Sequence, residues 1–288
     1  MTAVFFAALA GALFGIFTLA VRRGLVRGAD PEAGALVITG IGFVTGAALA
    51  LPGFLSGAET SDLWRFVLVG AAVPGLSQIL FIMAVRDAGP ARAAILIGTA
   101  PLISVVIALA VLGEPFRIPL LAGTVLIVAG GALLARERVR PTHFKATGAV
   151  FALMCATLFA VRDNAVRFVA RDTSAPPLAA SAASLLGASA VVLLYLLIVR
   201  RNGLRPKLRA ALPAFAPAGV MLGVAYASLV EAFDRGRVSV VAPLNATQSL
   251  WAVVLAAVVI GSSERIGRRT VISGLLVLAG GVLISVLR

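Results

Sequence analysis

The residues able to do chemistry in this chain are few, and they sit in unusual places. Gln78 lies in the middle of a long apolar run, and Tyr226 lies in another. Asn245, Gln248 and Ser249 follow at i, i+3 and i+4, which puts three hydrogen-bonding side chains on one face of a helix. Trp251 stands one turn beyond Gln248. A polar stripe ending in an indole suits a ligand with both polar and apolar parts. Arg162 and Asp163 interrupt a further apolar run, and Glu231 sits late in another. Ionisable groups inside such runs are costly and default to functional roles. Arg162 can pair with Asp163 or Glu231. A carboxylate there can carry a coupling proton, hold a substrate amine, or close a gate through an interfacial ion pair.

The same inventory excludes other chemistry. There is one cysteine, Cys155, and one histidine, His143, so neither an intrachain disulfide nor a histidine-based metal site is expected. No nucleophile, base and orienting group cluster as an enzyme site requires. No phosphate-cradling Gly-rich Lys motif is present, so ATP is not expected to drive this chain directly, and no cofactor is expected.

The elements that must position these residues are membrane helices. The chain has 288 residues, 60% hydrophobic and only 13% charged. Its mean hydropathy is +1.06. A soluble chain of this length has too little interior to hide that much apolar surface. The net charge of +13 does not make it a nucleic-acid binder, because its basic residues sit in short breaks between apolar runs. Ten runs are long enough to span: 3–21, 33–55, 63–85, 91–112, 118–135, 147–169, 176–199, 211–230, 238–260 and 270–287. They do not alternate as barrel strands do, so an all-α membrane protein is expected.

The chain also repeats itself. Ala12-Leu13-Phe14-Gly15 and Ala20-Val21-Arg22 return as Thr157-Leu158-Phe159-Ala160 and Ala165-Val166-Arg167, 145 residues on. Leu126 to Gly131 returns as Leu276 to Gly281, and Glu114 falls on Glu264, at an offset of 150. Aligning Gly75 with Gly223 places Gln78 opposite Tyr226, so the two are expected to face each other across a central cavity. Ten spans then divide into a first repeat, 1–137, and a second, 144–288. Five is odd, so the second repeat enters the membrane from the opposite face. Inverted repeats of this kind are typical of secondary transporters, with the site near the midplane. A channel or a non-transporting scaffold fits less well, because a channel needs a ring of repeated polar groups.

These residues resemble a known family. Gly113-Glu114, one span after Pro101 and followed by Gly123 and Ala129-Gly130-Gly131, is similar to the repeat unit of the EamA family of the drug/metabolite transporter superfamily. The second copy keeps Glu264 and Ala279-Gly280-Gly281, but Ser263 replaces the glycine and Trp251 stands at the place of Pro101. The resemblance implies a ten-helix carrier of small metabolites, often an exporter. One branch of the family exports amino acids, aromatic ones included. The expected partners are therefore a small-molecule substrate and the lipid bilayer of a bacterial-type inner membrane, with the chain working as a monomer. Glu114 and Glu264 are read as helix-start caps, where a carboxylate complements the positive helix end.

Orientation is read from charge. Loops after odd-numbered spans hold 17 Lys and Arg and the other side eight. The positive-inside rule places the richer side in the cytoplasm and both termini outside. The family resemblance implies the reverse, with both termini cytoplasmic.

Overall fold

A computed structural model describes residues 2–113, 118–135, 145–199, 203–259 and 267–286. Among these residues the chain is helical, with no strand. The helices are α1 (Thr2–Val26), α2 (Pro31–Leu55), α3 (Leu63–Gly70), α4 (Leu76–Ala88), α5 (Pro90–Ile97), α6 (Ala100–Val111), α7 (Ile118–Ala135), α8 (Ala146–Arg171), α9 (Pro177–Val199), α10 (Leu204–Arg235), α11 (Val238–Asn245), α12 (Gln248–Val259) and α13 (Arg268–Val286). Seven stretches of the described residues are helical, long and apolar enough to cross a bilayer. The runs expected at 118–135, 238–260 and 270–287 are helical as well, as α7, α11 with α12, and α13.

Three expected spans are interrupted. A π turn at Ala71–Gly75 joins α3 to α4, where Val73 leaves the helical region at φ −150° and ψ 115°. Pro74 sits inside it and lacks the N–H a continuous helix would use. Gly98-Thr99 separates α5 from α6, and Ala246-Thr247 separates α11 from α12. One residue, Gly89, joins α4 to α5; its φ of 84° is a conformation that favours glycine.

Helices pack in pairs that map onto each other when the halves are exchanged. α1 lies on α10, as α8 lies on α4; α2 lies on α10, as α9 lies on α3; α1 lies on α12 and α11, as α8 lies on α5 and α6. α2 with α9 and α7 with α13 exchange into themselves.

Small residues carry these contacts, because lipid gives helices no hydrophobic reason to associate and close backbone approach must supply the attraction. A methyl built on Gly130 would lie 2.8 Å from Ser273 O and 2.9 Å from Val277. Its counterpart on Gly280 would lie 2.5 Å from Gly123 O and 2.8 Å from Ile127. Ser273, Val277 and Gly280 are Gly123, Ile127 and Gly130 moved by 150, so the contact is reciprocal. Gly219 and Gly223 of α10 likewise press on Ile38, Ile41, Gly42 and Thr45 of α2. On the other side, Gly70 meets Ser184 O and Gly187 meets Val67 O, too close for any side chain.

The bundle interior is aromatic and aliphatic. Phe14, Phe17, Phe66, Phe81, Phe215, Tyr226 and Phe233 are buried in one continuous cluster.

Candidate functional site

The two broken spans cross each other. α5 packs on α12 and α6 on α11, so the Gly98-Thr99 and Ala246-Thr247 interruptions meet inside the bundle. At the first, Thr99 Oγ1 donates back to Leu96 O at 2.6 Å, and Pro101 begins the next helix without an N–H to offer. At the second, Thr247 N donates to Leu244 O at 3.1 Å, which tightens the turn. α1 covers this second break at close range. A methyl on Gly11 would overlap Thr247 Oγ1, and one on Gly15 would overlap Trp251 Cβ.

Beside the crossing, α8 presents an ion pair. Arg162 Nε and Nη2 donate to Asp163 Oδ1 at 3.0 and 2.7 Å. The side chains are 3% and 4% exposed. Neighbours on a helix point about 100° apart, so Arg162 must curl back to reach Asp163. In doing so its guanidinium lies 4.7 Å over the Phe159 ring and 5.8 Å from that of Tyr226, a cation–π arrangement. Ser104 Oγ of α6 donates to Asp163 Oδ2 at 3.3 Å. Asn164 Nδ2 donates to Ser104 O at 3.1 Å and to Ala160 O at 2.9 Å. A buried pair like this is costly to assemble, and removing one partner leaves an uncompensated charge.

A cavity of about 10 Å³ lies between the ion pair and the crossing, room for roughly one water. Its polar wall is Arg162, Asp163, Asn245 and Gln248; its apolar wall is Ile97, Ala100, Pro101, Phe159, Ala242 and Ala246. Several buried polar atoms make no hydrogen bond among the described residues: Asn245 Oδ1, Thr247 Oγ1, Asn164 Oδ1, Gln78 Nε2 and Tyr226 Oη. Buried polar groups are normally satisfied; of these atoms, Asn245 Oδ1 and Thr247 Oγ1 lie at the crossing itself.

Of the residues singled out in the sequence, Arg162, Asp163, Asn245 and Gln248 come together on the cavity wall. Tyr226 stands behind them against the guanidinium. Gln78 is 3% exposed and does not line the cavity; its neighbour Ser77 accepts a contact from Cys155 Sγ at 3.4 Å through its carbonyl. Gln78 and Tyr226 therefore do not face each other across this cavity. The backbone of Ser249 falls in the first turn of α12; its side chain lies outside the described atoms. Trp251 does not line the cavity. Its Cβ rests on α1 and the residue is 43% exposed. The break at Ala246-Thr247 interrupts the single helical face expected to carry Asn245, Gln248 and Ser249.

Glu231 does not reach Arg162. Arg235 Nε donates to Glu231 Oε2 at 2.7 Å, one turn along α10. Glu231 lies four residues from the end of α10 and Arg162 nine from the end of α8. At 1.5 Å per residue that separates them by about 7 Å in depth. Glu231 instead borders a second cavity of about 120 Å³ at the end of the bundle, walled by Phe54, Pro176, Pro177 and Leu178. Nor is the Arg162–Asp163 pair interfacial, since it lies near the middle of α8. Glu114, Glu264 and His143 lie outside the described residues. Sequence reasoning missed Ser104 and Phe159. A lone serine in an apolar run carries no signal, and Phe159 is marked only by its place in the repeat.

Outside the spans, two carboxylates hold loops. Burial raises the pKa of Asp30, but the Ala33 amide and Lys207 Nζ, 3.0 Å away, outweigh it and hold the group below the usual range. Ser174 Oγ donates to Glu59 Oε2 at 2.6 Å, and this bond and that of Ser61 lower the Glu59 pKa.

A multi-pass helical bundle with discontinuous spans crossing over a buried ion pair has the form of a membrane transport protein. The family model of the EamA-like transporter family matches residues 1–136 and again residues 146–286. The chain belongs to the EamA-like transporter family, and it is a multi-pass membrane protein. A solved structure titled only "Crystal structure of protein" is 20% identical, with a TM-score of 0.72 over 99% of this chain and 96% of that one. It shares the fold. No curated protein matches this sequence.

Proposed function

We propose that the chain is a secondary carrier of small amphipathic metabolites, amino acids foremost and aromatic ones among them, that works by alternating access and runs as an exporter. The observation that carries this reading is the crossing of two broken spans over the Arg162–Asp163 pair. Broken helices at equivalent positions of two repeats free backbone and side-chain polar groups near the midplane, where a carrier must bind its substrate. The reading includes ten spans arranged as two inverted five-helix repeats, and the exchange of helix contacts between the halves supports it. The double match of one family model supports the duplication. Asn245, Gln248, Arg162 and Asp163 form the substrate site, and Gln78 and Tyr226 support it from behind. The small cavity is then the contracted form of the site, which widens when α11 and α12 separate from α8.

The Arg-rich loops face the cytoplasm of a bacterial-type inner membrane, with both termini outside. Arg162, counted on the poorer side, and Arg92, counted on the richer side, are both buried and drop out of the loop count together, which leaves 16 against seven, the same difference of nine. A C-terminal tag should therefore react with a membrane-impermeant reagent applied from outside. Labelling only after the membrane is opened would favour the reverse orientation implied by the family resemblance.

The transport test is counterflow of amino acids in proteoliposomes, with and without a pH gradient. Saturable exchange is expected. Flux that rises linearly with concentration would mean a channel, and stimulation by the gradient would identify a coupling proton. No exchange of any amino acid would reject this substrate assignment.

A further inference from the structure

Where α1 ends and α10 begins, four exposed arginines stand without a counterion among the described residues. From their placement we propose that these two helix ends form a site for an anionic phospholipid. Arg23 with Arg27 and Arg205 with Arg209 hold its phosphate oxygens, and the apolar stripes that continue each pair hold its acyl chains.

α1 and α10 run antiparallel. A methyl on Gly24 would lie 2.5 Å from the Phe215 ring, and one on Gly236 would lie 2.9 Å from Ala3 Cβ. The end of α1 therefore lies beside the start of α10. Counted from the Gly24–Phe215 contact, Arg27 stands about 5 Å and Arg209 about 9 Å toward that end, at about 1.5 Å per residue. Arg23, Arg27, Arg205 and Arg209 are all exposed. Their side chains make no hydrogen bond or ion pair among the described residues. Asp30, in the loop after α1, is already engaged, since Lys207 Nζ donates to its Oδ2 at 3.0 Å and Ala33 N to its Oδ1 at 2.9 Å.

The folded chain by itself gains little from this arrangement. At α1 the arginines complement the negative end of the helix. At α10 they do the reverse. Arg205 and Arg209 fall in the first two turns, where the helix end is already positive, and no acidic residue stands in the first turn. Residues four apart are neighbours on a helix surface, so each pair also sets like charge against like. An external anion relieves both penalties. Nor does the fold demand arginine here. The residues 145 after Arg23 and Arg27 are Phe168 and Asp172, and those 148 before Arg205 and Arg209 are Gly57 and Ser61.

The surface below the charges identifies the anion as a lipid. Arg205, Arg209 and Leu212 lie at i, i+4 and i+7 on one face of α10, and Val220 continues it; Leu212 is 51% and Val220 39% exposed. On α1, Arg27 and Arg23 lead in the same way to Ile16, which is 41% exposed. Each face passes from guanidinium to aliphatic side chain, as an amphiphile requires. α10 has 32 residues and is about 48 Å long, against about 30 Å of hydrocarbon, so its first turns stand at headgroup level. Guanidinium groups grip phosphate oxygens through paired N–H donors, and basic clusters at helix ends are drawn to anionic lipid. A free phosphate would meet the charges and leave both apolar stripes unused.

The test titrates lipid into full-length protein in a neutral detergent and reads bound lipid by native mass spectrometry. Dioleoylphosphatidylglycerol should bind at least about tenfold tighter than dioleoylphosphatidylcholine, which has the same chains and phosphate but carries its own cation; that is the difference expected for hydrogen bonds to a charged group. Its affinity should fall as salt rises. Glycerol 3-phosphate, the headgroup without chains, should bind at least tenfold more weakly than the phosphatidylglycerol, about the least that burying two acyl chains supplies. Arg205→Gln with Arg209→Gln, and Arg23→Gln with Arg27→Gln, should each weaken phosphatidylglycerol binding about tenfold. Arg268→Gln with Arg269→Gln removes the same charge from exposed positions at the start of α13 and should change it less than about twofold. Equal binding of the two lipids would overturn the proposal. So would glycerol phosphate binding as tightly as the lipid, which would mean a free-phosphate site, or equal losses in all three double variants, which would mean a general attraction to basic charge. If a variant does not fold, the lipid preference and salt dependence of the unaltered protein decide. None of these readouts involves transport, so their failure leaves the carrier reading standing.

Discussion

Phe14 and Phe17 of α1 occupy, in the first half, the places that Phe159 and Arg162 of α8 occupy in the second, 145 residues apart. In the first half the space is closed by aromatic rings. Phe14 and Phe17 meet edge to face at 6.3 Å, and Phe17 stacks on Phe81 of α4 at 5.0 Å. In the second half the same helix pairing, α8 on α10, holds a guanidinium near the rings of Phe159 and Tyr226. Thr18, the counterpart of Asp163, bonds only to its own helix at Phe14 O, 2.8 Å away. One half seals its interior with rings and the other fills it with charge. The glycine contacts that set helix separation are shared between halves, whereas the chemistry is not. The two halves share a frame, and a pair of side chains in one of them sets the candidate site apart.

That contrast can be broken most strongly at Asp163. Asp163→Ala leaves Arg162 buried and unpaired and should cost about 3–5 kcal/mol, read as a large fall in melting temperature in detergent. Thr18→Ala should cost about 1 kcal/mol or less. The double change Arg162→Phe and Asp163→Thr copies the first half into the second. It should regain much of the stability lost in Asp163→Ala while losing transport. Equal transport by the double variant would place the substrate site elsewhere.

The shared frame is sharpened by glycine. Gly70→Ala, whose methyl would fall on the backbone of Ser184, should destabilise by about 3 kcal/mol or more, and Gly219→Ala, whose methyl meets the Ile41 side chain at 2.6 Å, by about 1–3 kcal/mol. Gly40→Ala, where a methyl meets nothing within 4 Å, should be neutral or slightly stabilising. A smaller loss for Gly70→Ala than for Gly219→Ala would mean that the closer seam does not set the helix separation.

A smaller effect is expected at Asp30, whose side chain accepts from Ala33 N at 2.9 Å to cap α2. Asp30→Ala should cost about 1 kcal/mol at neutral pH. The carboxyl pKa is lowered in the folded protein. Its contribution is therefore complete above the unfolded value of about 3.9 and fades as pH falls through the lower folded value. The difference from wild type, followed by melting at several pH values, should shrink only in that acidic range. The smallest effect is expected at Trp251. Trp251→Ala should change apparent transport affinity by less than about twofold, because a merely half-hidden side chain off the cavity wall contributes little to it.

Lipid made much of this fold legible. A span needs a long apolar run, so the helical stretches could be located from composition, and the repeated Ala-Gly-Gly endings, read as a mark of duplication, hold Gly130 and Gly280 at the seam where α7 meets α13. The polar members of the site were legible for the same reason, since Arg162, Asp163, Asn245 and Gln248 stand out in apolar sequence. Their partners were not. Arg162 reaches its immediate neighbour by curling back, which helical spacing does not anticipate. Glu231 was matched to it by the shared direction of their helices, and depth along the helix separates them. Trp251 was placed one turn beyond Gln248 in what is an unbroken helix, but spacing along α12 does not say that its Cβ rests on α1 and off the cavity wall. Gln78 was aligned with Tyr226 by glycine register, but register does not say which side chain a kinked helix turns inward.

The cavity beside Arg162 holds about 10 Å³, and its size bears on how tightly any ligand can be seen to bind. A protein whose competent form is a minority of its population shows an apparent dissociation constant equal to the intrinsic one divided by that fraction. If about one molecule in a hundred is open, a contact set worth micromolar affinity reads as roughly tenfold above 10 μM, near 100 μM. Weak apparent binding is then a property of the population, and contacts alone understate it. A substitution at an end of the bundle, such as Thr147→Val, removes a 3.4 Å bond to Asp87 between α8 and α4 without touching the site. An unchanged apparent affinity in that variant would mean that the bond is made equally in the open and contracted forms; a tighter one would mean that it favours the contracted form.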